Sequence, residues 1–291
     1  MTPAGCKRQR GAIAPERGAA VEQKVLGKTD VRVPAIGLGT WRYSGGPEPL
    51  RRGIALGATL IDTAERYGTE AAVGRAIARL RSRVFVATKV RHENLRYEQV
   101  LRAADSSLLE LGIERIDLYQ IHRPSQQVPI AETMAALEML VDAGKVRFIG
   151  VSNFSVAQLK SAQAASRYPI VSNQVRYSLV NRAIEDELLP YCQRHGITVI
   201  AYSPLSRGLA NLVGGLGDRA LMRVAAAEGR SPVQVALNWC ISKQNVIAIP
   251  RGSTVAHVED ICAASDWRLS EESITMLEAA YSGPIVRTEM A

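Results

Sequence analysis

Two kinds of apolar pattern alternate along this chain. Short apolar runs of strand length fall at residues 36–41, 59–61, 84–88, 116–121, 148–151, 170–172, 198–201 and 246–249. Between them, apolar residues return at helical spacing. Over 97–111, Val100, Ala104, Leu108 and Leu111 share one face; over 130–143, Ile130, Met134, Leu137 and Val141 do the same. Gly112 and Gly144 stand where a helix closes through a left-handed residue. Ser155 is placed to cap a helix reaching about 166, Ser231-Pro232 to open one reaching about 243, and a last helix covers about 270–281.

The eight alternations predict an α/β fold, a (β/α)8 TIM barrel. Ahead of the first run, 24–26 and 31–33 flank Gly27-Lys28-Thr29-Asp30, which reads as an N-terminal β-hairpin able to plug one end of the barrel. Residues 1–20 are rich in Gly, Ala and Arg and lack periodicity; the expectation is a flexible tail, with 21–291 as a single domain. A doubly wound sheet is the alternative, but it would carry GxGxxG after an early strand. The nearest approach, Gly215-Leu216-Gly217-Asp218-Arg219-Ala220, comes late and follows no clear strand, so it reads as loop glycines.

Composition narrows the function classes. The 291 residues suit one barrel, and 47% hydrophobic with only 5% aromatic content suits strands buried on both faces. The net charge of +8 is partly concentrated in the first thirty residues, with no basic stripe interleaved with aromatics. That argues against nucleic acid and for anionic small ligands, including a phosphorylated cofactor. Cys6, Cys192, Cys240 and Cys262 are too scattered for a metal site or a disulfide framework, which points to a reducing, cytoplasmic setting. No apolar run has the length of a signal-peptide core or a membrane span. A monomer is the default expectation.

Barrel enzymes build their sites at the C-terminal ends of strands. There, Asp62 follows the second run, Lys89 the third, His122 the fourth, Ser152-Asn153 the fifth, Asn173-Gln174 the sixth, Tyr202 the seventh and Pro250-Arg251 the eighth. Tyr67 stands five residues after Asp62, with Gly68 behind it. A phenol is a poor acid at neutral pH, but an adjacent ammonium lowers its pKa, and a buried ammonium needs a carboxylate to stay charged. Asp62, Lys89 and Tyr67 can form that chain, and His122 can orient a carbonyl or help donate a proton. The competing structural reading is a buried Asp62–Lys89 ion pair beside a core histidine; four such residues at corresponding strand ends favour chemistry.

At these residues the chain resembles the aldo-keto reductases. Gly57-x4-Asp62-Thr63-Ala64-x2-Tyr67-Gly68-x-Glu70-x3-Gly74 matches the family's first signature. Phe148-Ile149-Gly150-Val151-Ser152-Asn153-Phe154 is similar to the second, and Ile249-Pro250-Arg251-Gly252-Ser253 falls where the third lies. The resemblance runs from about residue 24 to 281. It implies a catalytic tetrad of Asp62, Tyr67, Lys89 and His122, with Tyr67 as general acid in hydride transfer from NADPH, or from NADH, to an aldehyde or ketone. Ser152, Asn153 and Gln174 would hold the nicotinamide carboxamide, with Tyr202 stacked on its ring. Ser203, Pro204, Leu205, Ser206 and Gly208 would follow the pyrophosphate. Ile249, Pro250, Arg251, Gly252, Ser253, Thr254, His257 and Asp260 would surround the adenosine 2′-phosphate end. Thr40 and Trp41 complete the cofactor set, and Trp41 lines the substrate pocket. Many members carry Lys where this chain has Arg251, and Arg where it has His257. Two other readings belong to different classes: a cofactor-binding regulatory subunit resembling potassium-channel β subunits, separated by turnover of a simple aldehyde, and a barrel lyase or isomerase, separated by binding of NADPH.

Overall fold

The hairpin comes first along the chain: β1 (Gln23–Val25) pairs antiparallel with β2 (Arg32–Pro34), Lys24 opposite Val33. The computed structural model describes residues 21–206, 208, 212 and 218–282. The expected 1–20 tail, Cys6 and the glycines at 215 and 217 lie outside the described residues. Eight parallel strands follow in chain order across one sheet: β3 (Leu38–Gly39), β4 (Leu60–Asp62), β5 (Phe85–Val90), β6 (Ile116–Ile121), β7 (Val146–Ser152), β8 (Ile170–Arg176), β9 (Thr198–Tyr202) and β10 (Val246–Ala248). The first and last strands then meet. Ile36 bridges Ala248 in parallel, Gly37 N donates to Ala248 O at 2.8 Å, and Gly39 N donates to Pro250 O at 2.9 Å. The sheet is therefore closed as the predicted barrel, with no free edge to protect.

The helices lie outside: α1 (Pro47–Ala55), α2 (Glu70–Ile77), α3 (Tyr97–Leu111), α4 (Ile130–Asp142), α5 (Val156–Ala164), α6 (Leu188–His195), α7 (Asp218–Glu228), α8 (Pro232–Ser242), α9 (Val255–Cys262) and α10 (Glu271–Ala280). Ser155 opens α5 with a full capping box, its Oγ accepting from Gln158 N while Gln158 Oε1 accepts from Ser155 N. That helix stops short of 166, because Pro169 disfavours helical backbone at Tyr168 and the chain must already turn toward β8. Asp218, Arg219 and Ala220, which follow those loop glycines, form the first turn of α7, which buries Leu221, Val224 and Ala225 on one face. Strand ends also differ. β3 is shorter than 36–41, and Trp41 sits in the exposed turn beyond it. β8 runs four residues past 172, so Asn173 and Gln174 are buried within the strand, paired with Val199 and Ile200.

The two-residue repeat of a strand sets what fills the barrel. Leu60, Ala87 and Leu118 form an apolar layer, and Asp62, Lys89 and Gln120, two residues further on, form the next layer toward the C-terminal end. The hairpin closes the other end: Leu26 and Val33 pack in the same interior cluster as Val171, Ile200 and Ile247. Lys24 locks it there, donating to the carbonyls of Ile241, Lys243 (3.3 Å) and Val246 (2.9 Å). Gly150 is required in the middle, since a Cβ there would lie 2.5 Å from Ser172 Oγ and 3.0 Å from Gln120 Cγ.

Candidate active site

Three adjacent strands and one turn deliver the central groups. Lys89, fully buried near the end of β5, donates to Asp62 Oδ1 at 2.6 Å, to Thr63 O at 2.8 Å and to the Tyr67 hydroxyl at 3.4 Å. The same ammonium sits 4.8 Å from the centre of the Tyr67 ring. The ring meets His122 edge to face, centroids 5.5 Å apart at 83°. The four residues of the expected tetrad thus form one chain of contacts, Asp62 to Lys89 to Tyr67 to His122.

Gln120 was not singled out by sequence. It is wholly buried, donates to Asp62 Oδ2 at 3.4 Å and accepts from Gln174 Nε2 at 3.5 Å, while Gln174 also donates to Asp62 Oδ2 at 2.8 Å. Its signal was present: an amide two residues beyond Leu118 shares the inward parity of that strand and needs partners in the interior.

The electrostatics correct one expectation. The Lys89 ammonium was expected to bring the phenol's pKa down. Burial of Tyr67 instead raises it, and the Asp62 charge adds to that rise, together outweighing the opposite pull of Lys89. Lys89 loses charge stability by burial, yet its contacts with Asp62 and Tyr67 return more than that, and its pKa lies above the ordinary lysine value. Burial, reinforced by the charges of Lys89, Arg123, Arg66 and His92, holds His122 down at about 3, so the imidazole is neutral near pH 7. Its buried Nδ1 has no hydrogen-bond partner among the described residues.

The turn that carries Tyr67 is pinned on several sides. It leaves β4 through Ala64 and closes at Gly68 in the left-handed conformation, φ 64°. Glu65 accepts from Arg91 N at 2.9 Å and Asn94 Nδ2 at 2.6 Å, tying the turn to the chain just beyond Lys89. The Thr69 hydroxyl pairs with those of Thr40 and Thr63, both at 2.9 Å, and Thr40 also donates to Asp62 O at 3.0 Å. Glu70, at the start of α2, takes the Thr88 hydroxyl at 2.6 Å on the outer face of β5. These supports use residues within the first signature stretch that had no assigned role.

The expected cofactor residues fall into two groups. Ser152, Asn153, Gln174 and Tyr202 join the central network. Ser152 Oγ donates to Gln174 O at 2.8 Å, Asn153 Nδ2 to His122 O at 3.1 Å, and the Tyr202 hydroxyl to Asn153 Oδ1 at 3.0 Å. Asn153 adopts φ 63°, which aims its amide back across the strand ends. The second group follows β9 and β10. Ser203 and Ser206 are left-handed, at φ 49° and 52°, around Pro204 and Leu205, and Gly208 N returns to Leu205 O at 2.8 Å. Ile249 and Pro250 continue past β10 to Arg251, whose guanidinium donates to Arg42 O at 3.0 Å and Trp41 O at 3.4 Å. Gly252 packs under α9, where a Cβ would lie 2.7 Å from Val258. Ser253 leads to Thr254, which caps α9 by accepting from His257 N at 3.2 Å. Besides Ser152 and Gln174, three further side chains of the expected set are bonded inside the protein: Thr40 as above, Ser206 to Ser178 Oγ at 2.9 Å, and Asp260 to Ser231 Oγ and Gln234 Nε2 at 2.7 and 2.8 Å.

Among the described residues, no cluster of His, Cys, Asp and Glu is arranged to hold a metal, and no helix is long and apolar enough to cross a membrane. Burial pushes Cys192, Cys240 and Cys262 up to about 12, which leaves them as unreactive thiols at neutral pH.

The wider comparison agrees with this geometry. The aldo/keto reductase family model matches residues 35–282. Methylglyoxal reductase YeaE of Escherichia coli (strain K12) is 40% identical over 273 residues, covering 90% of this chain and 95% of that protein. The crystal structure of the thermostable aldo-keto reductase Tm1743 with the inhibitor epalrestat superposes with a TM-score of 0.85 at 38% identity, over 89% of this chain and 100% of that one. An aldo-keto reductase from Klebsiella pneumoniae in complex with NADPH superposes with a TM-score of 0.85 at 36% identity, over 93% and 100%. Barrel, motif order and relatives agree: the chain belongs to the aldo/keto reductase family and is an oxidoreductase.

Proposed function

We propose that this enzyme reduces the carbonyl group of small-molecule aldehydes or ketones with NADPH, accepting NADH less well, and that Tyr67 is the general acid. The observation that carries the reading is the Tyr67 hydroxyl, 3.4 Å from a fully buried Lys89 and packed on a neutral His122. The nicotinamide, when bound, supplies hydride to the carbonyl carbon. Tyr67 stays protonated until oxygen charge develops, because burial holds its pKa high. It then gives its proton to that oxygen, and the Lys89 hydrogen bond already aimed at the hydroxyl stabilises the phenolate left behind. Asp62 keeps Lys89 charged, and Gln174 and Gln120 hold the second carboxylate oxygen. His122 has an unpartnered Nδ1, so the tautomer with its proton on Nε2 avoids a buried unsatisfied N–H and leaves Nε2–H to hold the substrate oxygen.

The chain also fits the coenzyme. Ser152, Asn153 and Gln174 supply amide and hydroxyl groups beside the tetrad, suited to a carboxamide, and Tyr202 offers a half-exposed ring. The left-handed residues at 203 and 206 shape a turn for the pyrophosphate. Arg251, Ser253 and Thr254 stand at the N-terminus of α9, where N–H groups without intrahelical acceptors favour a phosphate. The NADPH complex of the Klebsiella pneumoniae relative supports the choice. Tyr67→Phe should lower kcat by about 10²-fold or more while NADPH binding, read by fluorescence titration, is retained. Near-normal turnover by that variant across neutral pH would reject the assignment.

A further inference from the structure

We propose that Glu65 and Glu70 are positioning residues that hold Tyr67 in register with Lys89, a role that rests on the reading of Tyr67 as the general acid. The two glutamates flank the tyrosine in the chain, two residues before it and three after. Their partners flank Lys89. Glu70 Oε1 accepts from the Thr88 hydroxyl at 2.6 Å, one residue before the lysine. Glu65 Oε2 accepts from Arg91 N at 2.9 Å, two residues after it, and Glu65 Oε1 accepts from Asn94 Nδ2 at 2.6 Å. The Tyr67 turn is therefore gripped to the lysine strand and its extension on both sides of the Tyr67–Lys89 contact. Thr69 fastens the same turn in another direction, to Thr40 and Thr63 at the ends of β3 and β4.

Two features tie this grip to the site rather than to the fold alone. Glu70 sits at the first position of α2 and is only 6% exposed. Burial raises its pKa despite the Thr88 hydrogen bond, and the charges of Glu65 and Glu110 push the same way, so its surroundings disfavour the carboxylate. An apolar side chain would fill the space between α2 and β5 at lower cost to stability. Such violations of local preference gather at functional sites. The second feature is the narrow margin of the contact under control. Lys89 Nζ lies 3.4 Å from the Tyr67 hydroxyl, already longer than an ordinary N–H···O bond, so an outward slip of about half an ångström would end it. Misplacement of a reacting group by about 1 Å costs about 10²-fold in rate.

The test follows reduction of simple aldehydes such as glyceraldehyde with NADPH, together with melting temperature and NADPH affinity by fluorescence titration. Thr88→Val and Glu65→Ala each remove one grip without touching Tyr67 or Lys89. Each should lower kcat about 10-fold and leave the Kd for NADPH within about twofold of wild type. Thr88→Ser and Glu70→Gln keep the donor and the acceptor, and should retain most of the rate. The decisive comparison repeats Thr88→Val and Glu65→Ala in a Tyr67→Phe background. There the residual turnover should fall no further, because the group they position is gone, while any loss in melting temperature persists. Thr88→Val preserves side-chain volume and decides the matter if Glu65→Ala does not fold. A rate loss of equal size in both backgrounds overturns the inference, as does kcat within about twofold of wild type in the folded variants. If Tyr67→Phe is slow and the grip variants are normal, this inference alone fails. If wild type reduces no aldehyde, or Tyr67→Phe turns over normally, the proposed function fails and takes this inference with it.

Discussion

His122 should make the fold selectively weak in acid. Burial, aided by Lys89, Arg123, Arg66 and His92, lowers its pKa from 6.5 to about 3. The unfolded chain therefore takes up a proton near pH 6.5 that the folded chain refuses until near pH 3. The stability this residue allows is fully present above 6.5 and is lost as pH falls toward 3. At pH 4.5, two units below the unfolded value at 1.36 kcal/mol per unit, the loss is about 2.7 kcal/mol, or about 2 kcal/mol once partial solvent screening of the ring is counted. His122→Gln removes the titration at similar size. Urea unfolding of both proteins at pH 7.5 and 4.5 and constant ionic strength gives the comparison. Wild type should lose about 2 kcal/mol more than the variant between the two pH values, because the carboxylates titrate in both and cancel. Equal losses, or a His122 imidazole resonance titrating near 6.5 in the folded protein, would refute the reasoning.

Lys89→Met should cost about 3–5 kcal/mol of stability, since Asp62 is only 2% exposed and would lose its countercharge, and should reduce turnover as much as Tyr67→Phe. The double variant should be little slower than either single one; additive losses in that cycle would give Lys89 a separate task. Arg251→Ala should raise the KM for NADPH about 10-fold, and the KM for NADH about threefold, because the side chain also ties down the carbonyls of Trp41 and Arg42. Equal rises would assign Arg251 to the loop alone. Lys24→Met strands three carbonyls at the plugged end of the barrel, and should lower the melting temperature by about 5 °C with NADPH affinity unchanged. A weakened affinity would mean that the plug and the site communicate.

Alternating apolar periods determined the barrel without help from tertiary structure. Two-residue and helical repeats are local properties, and eight β–α units in one chain have few ways to close. The same parity put Asp62, Lys89 and His122 at one end, since each follows an apolar run by a step that the strand geometry dictates. Cap chemistry was equally local, as Ser155, Gly112 and Gly144 illustrate. What depended on neighbours from distant strands was decided only in three dimensions. Gln120 and Gln174 converge on one oxygen of Asp62 from 58 and 112 residues away. Whether Lys89 or burial governs the Tyr67 phenol is a balance of solvent exclusion and charge, and burial is contributed by many segments at once. Arg251, placed by its motif beside a helix N-terminus, reaches back 209 residues to the Arg42 carbonyl. No local pattern encodes such a contact, because it depends on the barrel closing its first strand against its last.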